Sequence, residues 1–299
     1  MTRHWLQQEE RGSPFALRLI RWIALYIGRS VARTLLYPIS IYFFMAARPQ
    51  RRASYDYLTR IMSKKPSFIH VINHIHAFSA TILDRVYFLT DQYEKFDIQI
   101  IDNSPLHEFV RDKKGCILLG SHLGSFEIMR TLAVGRNKIP LKVLMYKDHN
   151  ESITKVFDAL NPSTLATVIN LGSPQSLLEV NDCLRQGYVV GMLGDRVAES
   201  DKVISCDFLG SDTTFPKGPA LLATALKVPV ILFYGLYCGG NRYELHFELL
   251  TETIDVDRQN RAKEIQRFMQ KYVSRIEHYA YYAPYNWFNF YDFWGSSSA

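Results

Sequence analysis

The chain is poor in cysteine: Cys116, Cys183, Cys206 and Cys238 are the only four in 299 residues. They form no C-x-x-C pair and no secretory signal precedes them, so they read as reduced residues of a cytosol-facing protein, without zinc or disulfide. Glycine-rich nucleotide loops are missing as well. There is no Walker loop, no G-x-G-x-x-G after a strand and no G-x-S-x-G elbow, which removes nucleotide-dependent and serine-hydrolase chemistry. No internal repeat occurs, and low complexity is confined to the short tail GSSSA. A long uncharged apolar run is lacking too. The best is TLLYPISIYFFMAA, residues 34–47, interrupted by Pro38; at about 1.5 Å per residue it reaches roughly 21 Å, short of the roughly 30 Å hydrocarbon layer.

What is present can build a full core, since 47% of residues are hydrophobic. Thirty-five Lys and Arg against 29 Asp and Glu leave a formal charge of +6, which favours anionic partners such as phospholipid headgroups, nucleic acid or an acidic carrier protein without choosing among them. The 18 Tyr, 18 Phe and 4 Trp concentrate towards both ends of the chain, as in a membrane-interface belt, a thick core or a protein contact.

From Phe15 to Ala47 the chain is apolar but carries Arg18, Arg21, Arg29 and Arg33. On a helical projection these four share an arc of roughly 120°, with apolar residues over most of the rest. A shallow, monotopic insertion satisfies both this helix and the run at 34–47, with Arg48 to Arg52 meeting anionic lipid; a pair of helices buried in a soluble core is the competing reading. Residues 1–50 are thus expected to form a membrane-associating segment and residues 51–299 one domain.

Beyond residue 50, helical spacing over the stretches beginning SYDYL and AFSAT gives way to short apolar runs. Strands are predicted at 115–120, 142–147, 166–170, 188–193, 229–237 and 242–250. Helices are predicted near 125–134, 150–160, 174–186, 217–226 and 258–282. This alternation predicts an α/β fold with a single sheet covered by helices, whose ligands gather at the carboxyl ends of the strands.

His122 falls at such an end, in GSHLGSFE. A histidine there can take a proton from an alcohol, and Glu127 could hold its tautomer if the turn around Gly124 brings the two together. Five residues apart on one continuous helix they would diverge by about 140°. Spacing alone also fits a polar turn in which Glu127 is a solvated first-turn acid. His70, His74 and His76 lack a nearby carboxylate or cysteine to complete a metal site and read as structural. Asp195 and Arg196 end another strand, and Gly218 before Pro219 opens a helix that could offer backbone N–H groups to an oxyanion or serve as an ordinary β-α turn.

In order along the chain, SHLGSFE, VLMYKDHNESI, MLGDR, FLGSDTTFPKGPALLA and APYNWFNFYDFW resemble the motifs of the bacterial late lipid A acyltransferases, within the lysophospholipid acyltransferase superfamily. SHLGSFE is similar to the H-x-x-x-x-D/E motif in its Glu form. Lys147 stands where the family usually has Arg, and the aromatic ending looks more like members linked to aryl polyene lipids. The resemblance spans roughly residues 10–294. It implies an acyltransferase-like fold and His122 as general base supported by Glu127, with Lys147, Asp195, Arg196 and Gly218 as oxyanion or positioning candidates. It further implies a thioester donor on acyl carrier protein, a hydroxyl of a membrane lipid or glycolipid as acceptor, and no metal or organic cofactor. Nucleic acid is not an expected partner, and the expected location is the cytoplasmic face of the cell inner membrane. A hydrolase using the same pair, with water for the alcohol, and a non-catalytic membrane component are the other classes. A basic patch of Lys64, Lys65, Lys113 and Lys114 would draw in the acidic carrier.

Overall fold

The computed structural model describes residues 21–102, 104–133, 138–145, 160–161, 167–171, 174–198, 201–254 and 259–295. Seven strands form one sheet: β1 (Asp97–Ile101), β2 (Cys116–Gly120), β3 (Leu141–Met145), β4 (Val168–Asn170), β5 (Val189–Leu193), β8 (Val230–Tyr237) and β9 (Arg242–Thr251). Their order is β1-β9-β8-β2-β5-β3-β4, parallel from β8 to β4, with β9 antiparallel to β8 and β1 parallel to β9. A two-stranded hairpin, β6 (Val203–Phe208) and β7 (Ser211–Pro216), stands apart from it.

Central position explains composition. Every residue of β2 is buried, Ile117 and Leu119 in the core on one face and Cys116 and Leu118 in the core on the other, so the strand is continuously apolar rather than alternating. Each aliphatic side chain withdrawn from water here contributes about 2 kcal/mol. The first face is covered by α6 (Pro174–Arg185), α7 (Gly218–Leu226) and α8 (Arg261–Tyr282). The last of these buries Ile265, Phe268, Met269, Tyr272, Val273 and Ile276 at helical spacing. On the second face lie α4 (Ser104–Arg111), α5 (Phe126–Thr131) and most of α3 (Phe68–Leu89). Ser67 and the His70 side chain form a capping box at the start of α3.

The amino-terminal region is a series of broken helices. A π-type turn, Ile23–Ile27, ends at Gly28, whose φ of 117° only glycine adopts readily, and α1 (Arg29–Ala46) and α2 (Arg48–Met62) follow. The expected boundary at residue 50 therefore falls inside α2. Helix α1 buries Ala32, Leu36 and Ser40 and packs on α3. Its arginines do not share a solvated arc. Arg29 turns inward to a bidentate pair with Asp84, at 2.8 Å for each bond, and Arg33 donates to the Tyr237 hydroxyl. Arg18 lies outside the described residues. Among those residues no single helix is long and apolar enough to cross a membrane; α1 and α2 together pass that test but are bent by 98°.

The predicted strands and helices recur with shifts at their ends, except that the helix near 150–160 lies almost wholly outside the described residues. Strand β1 and the β6–β7 hairpin were not anticipated. Leu209 and Gly210 form the hairpin's two-residue loop, both at positive φ, with Phe208 paired with Ser211.

Candidate active site

The sheet register builds the site. Gly120 of β2 is the register partner of Leu193 of β5, so the residues two further along each chain, His122 and Asp195, leave neighbouring parallel strands side by side. Nδ1 of His122 lies 2.8 Å from Oδ1 of Asp195, and the His122 backbone N–H donates to Oδ2 at 3.0 Å. Asn289 donates its Nδ2 to the same Oδ2 at 2.8 Å. Tyr272, from α8, donates to the Gly120 carbonyl at 2.6 Å and fixes the end of β2.

An ionised carboxylate only accepts, so Nδ1 carries the proton and Nε2 presents its lone pair. Nε2 has no hydrogen-bond partner among the described residues, and the side chain keeps 27% exposure. Burial and the Arg196 charge hold the imidazole pKa below its ordinary 6.5, against the opposing pull of Asp195. The ring is neutral at pH 7, the state a base requires. Burial pushes the Asp195 carboxyl up, but His122, Arg196 and Asn289 together bring it below the usual range, so it is ionised.

The turn after His122 depends on two glycines. Gly124 has φ of 76°, and a Cβ there would lie 2.1 Å from the Gly235 carbonyl oxygen; Gly235 is equally crowded by Ser125. This close approach lets Ser125 N–H donate to Gly235 O at 2.7 Å and starts α5 at Phe126.

Helix α5 carries Glu127 away from the ring. The hydrogen bond expected between His122 and Glu127 is not made: Glu127 pairs with Arg85 of α3 at 2.7 Å and lies 3.6 Å from Arg130. The carboxylate on the imidazole is Asp195, anticipated only as a positioning residue. Arg196 is no free anion donor either. It binds Asn289 Oδ1 at 2.8 Å and the Phe288 carbonyl at 3.1 Å, bracing the segment that orients Asp195. Gly218 begins α7, whose Pro219 packs beside Gly194, but no hydrogen bond joins Gly218 to His122. Lys147 lies outside the described residues.

Three participants were not legible as such. Residues 286–289 run along the His122 turn, with Phe288 N–H donating to His122 O at 2.7 Å and Gly124 N–H to Asn286 O at 2.8 Å. Asn286 also bonds both backbone groups of Tyr237. His74 lies buried behind this segment, between the Ser54 hydroxyl at 2.8 Å and the Trp287 carbonyl at 2.9 Å. Burial lowers its pKa to about 4. The signal was the asparagines Asn286 and Asn289 within an aromatic run, because polar groups buried there need partners. His70 and His76 serve elsewhere, in the α3 cap and stacked on Tyr37.

A neutral histidine held by a buried aspartate at the open end of a parallel sheet is an arrangement chemically able to act as a general base. Residues 20–294 match the sequence pattern of the bacterial lipid A biosynthesis acyltransferases, and the chain belongs to that family. It is an acyltransferase enzyme. No curated protein matches the chain.

Proposed function

We propose that the protein transfers a fatty acyl group from an acyl carrier protein thioester to a hydroxyl of a membrane lipid or glycolipid, with His122 as the base. As the acceptor oxygen bonds to the thioester carbonyl carbon, its proton passes to Nε2 of His122. The tetrahedral intermediate then expels the thiolate, which takes that proton from Nε2, leaving an ester, a free thiol and a neutral imidazole. Asp195 holds the tautomer and stabilises the imidazolium. Glu127 acts at one remove, joined to Arg85 and Arg130 where α5 leaves the His122 turn.

The observation that carries this reading is the His122–Asp195 pair, set by register in a chain of an acyltransferase family. General-base action of this kind contributes about 10² to 10⁴-fold. The test is turnover of an acyl carrier thioester with membrane lipid extract: acylated lipid as the product supports transfer, and release of free fatty acid alone refutes it in favour of hydrolysis.

The enzyme works from the cytoplasmic face of the inner membrane, seated on it without spanning. Support comes from apolar side chains exposed among the described residues: Trp22, Tyr26, Ile27, Val31, Leu35, Ile41, Tyr42 and Met45, with Phe68 and Ile69 beside them at the start of α3. Carrier docking falls to Lys64 and Lys65, exposed in the turn before α3. Lys113 and Lys114 enter β2 at its amino end, roughly 17 Å of strand away from the His122 end, and do not belong to the same patch.

A further inference from the structure

A second site lies on α1, apart from the base. An open recess of about 650 Å³ is lined by Arg29, Arg33, Lys95, Tyr37 and Asn241, among others. Its charge is unbalanced. The carboxylate Asp84 is satisfied by Arg29 and by the Tyr243 hydroxyl at 2.9 Å, whereas Arg33 and Lys95 form no ion pair among the described residues.

The two arginines are also held in place. Arg29 lies 4.6 Å from the Phe96 ring centroid and gives a third bond to the Gly240 carbonyl, and Arg33 stands 5.7 Å from the Tyr237 ring centroid, bonded to its hydroxyl. Such a fork, already ordered, loses little freedom when it meets an oxyanion.

Position on the helix indicates what that anion is. At about 100° per residue, the recess residues 29, 30, 33, 34 and 37 occupy an arc of roughly 140°, and exposed Val31, Leu35, Tyr42 and Met45 occupy the adjoining arc, with Ile41 where the two meet. The positive recess thus opens along the border of the apolar strip, at the depth where headgroups would lie if that strip enters the acyl layer.

We propose that this recess binds the phosphate ester of an anionic lipid headgroup, with Arg33 and Lys95 donating to its oxygens. The assignment to lipid, rather than to free phosphate, rests on the membrane seating argued above.

The test uses the full chain sedimented with vesicles of phosphatidylcholine alone or mixed with phosphatidylglycerol. Because one cation near an anionic surface is worth about five-fold in binding, Lys95→Gln should lose that factor and Arg33→Gln/Lys95→Gln roughly twenty-fold on the mixed vesicles. Neither should change on phosphatidylcholine. Lys113→Gln/Lys114→Gln, two equally exposed charges removed elsewhere, should lose less than the single Lys95 change. Equal losses in the control, or none in the recess variants while phosphatidylcholine binding persists, would overturn the recess and leave the seating intact. Failure of the wild type to bind either vesicle would instead remove the seating and with it the lipid assignment. Calorimetric titration with a soluble short-chain phosphatidylglycerol and with inorganic phosphate separates the two sources. Equal affinity for both would overturn the lipid assignment.

Discussion

Replacing Asp195 by asparagine should disarm the base while barely changing the shape of the site. The carboxylate takes two donors on Oδ2, from the His122 backbone and Asn289, and a single one on Oδ1, from Nδ1 of His122. An amide has one acceptor end, and the side with two donors claims it. Its NH₂ then faces Nδ1, which must give up its proton and accept, and the proton moves to Nε2, the nitrogen proposed above as the base. The ring stays in place with the wrong nitrogen basic. Inverting a catalytic histidine's tautomer this way costs on the order of 10³ to 10⁴ in rate, or about 4 to 5.5 kcal/mol of barrier. The assay is single-turnover transfer from a labelled acyl carrier thioester, with circular dichroism and thermal unfolding showing that the variant folds. A folded Asp195→Asn enzyme keeping more than about a tenth of wild-type rate would refute the assignment of Asp195, because a tenfold loss is only about 1.4 kcal/mol.

Glu127→Gln should act differently: it breaks the pair with Arg85, which retains 28% exposure, so unfolding free energy should fall by about 2 kcal/mol and transfer by less than in Asp195→Asn, compared by urea titration and rate on the same preparations. His122→Ala should abolish transfer with the melting temperature nearly unchanged. Because burial and Arg196 hold the His122 pKa below 6.5, the acid limb of kcat/KM should fall below pH 6.5, and a limb above it would contradict the arrangement. His74 supplies a stability test. Buried as a neutral ring, it favours the fold fully above its unfolded pKa of about 6.5, and that contribution drains away as pH falls towards about 4, a loss of about 3 kcal/mol. Urea midpoints between pH 7 and 4 should therefore fall more steeply for the wild type than for His74→Leu. Gly124→Ala, with its new methyl driven into Gly235 O, should both destabilise the fold and lower transfer, read by thermal unfolding and rate.

Where the sheet dictates local pattern, sequence and structure agree. The short continuous apolar runs at β2, β5 and β8 read as strands and are buried as such, and the ends of β2 and β5 marked out His122 and Asp195. Pairing those two needed the register between β2 and β5, a tertiary fact that spacing along one chain does not contain. Glu127 was the attractive partner because it is near in sequence, yet the helix beginning at Phe126 turns it towards Arg85. Arg29 and Arg33 show the same limit in reverse: on a helical wheel they share a polar face, but Asp84 and Tyr237, far along the chain, decide where they point. The β6–β7 hairpin was hidden by an unusual loop, Leu209-Gly210, since leucine at positive φ is not a turn signal.

The segment from Asn286 to Asn289 makes the site a late product of synthesis. A nascent chain carries its histidine and aspartate out of the ribosome well before the asparagine that steadies them, while the α1 helix with its greasy strip has emerged earlier than all three. On the membrane seating proposed above, the protein could settle on a lipid surface before it is able to acylate anything there.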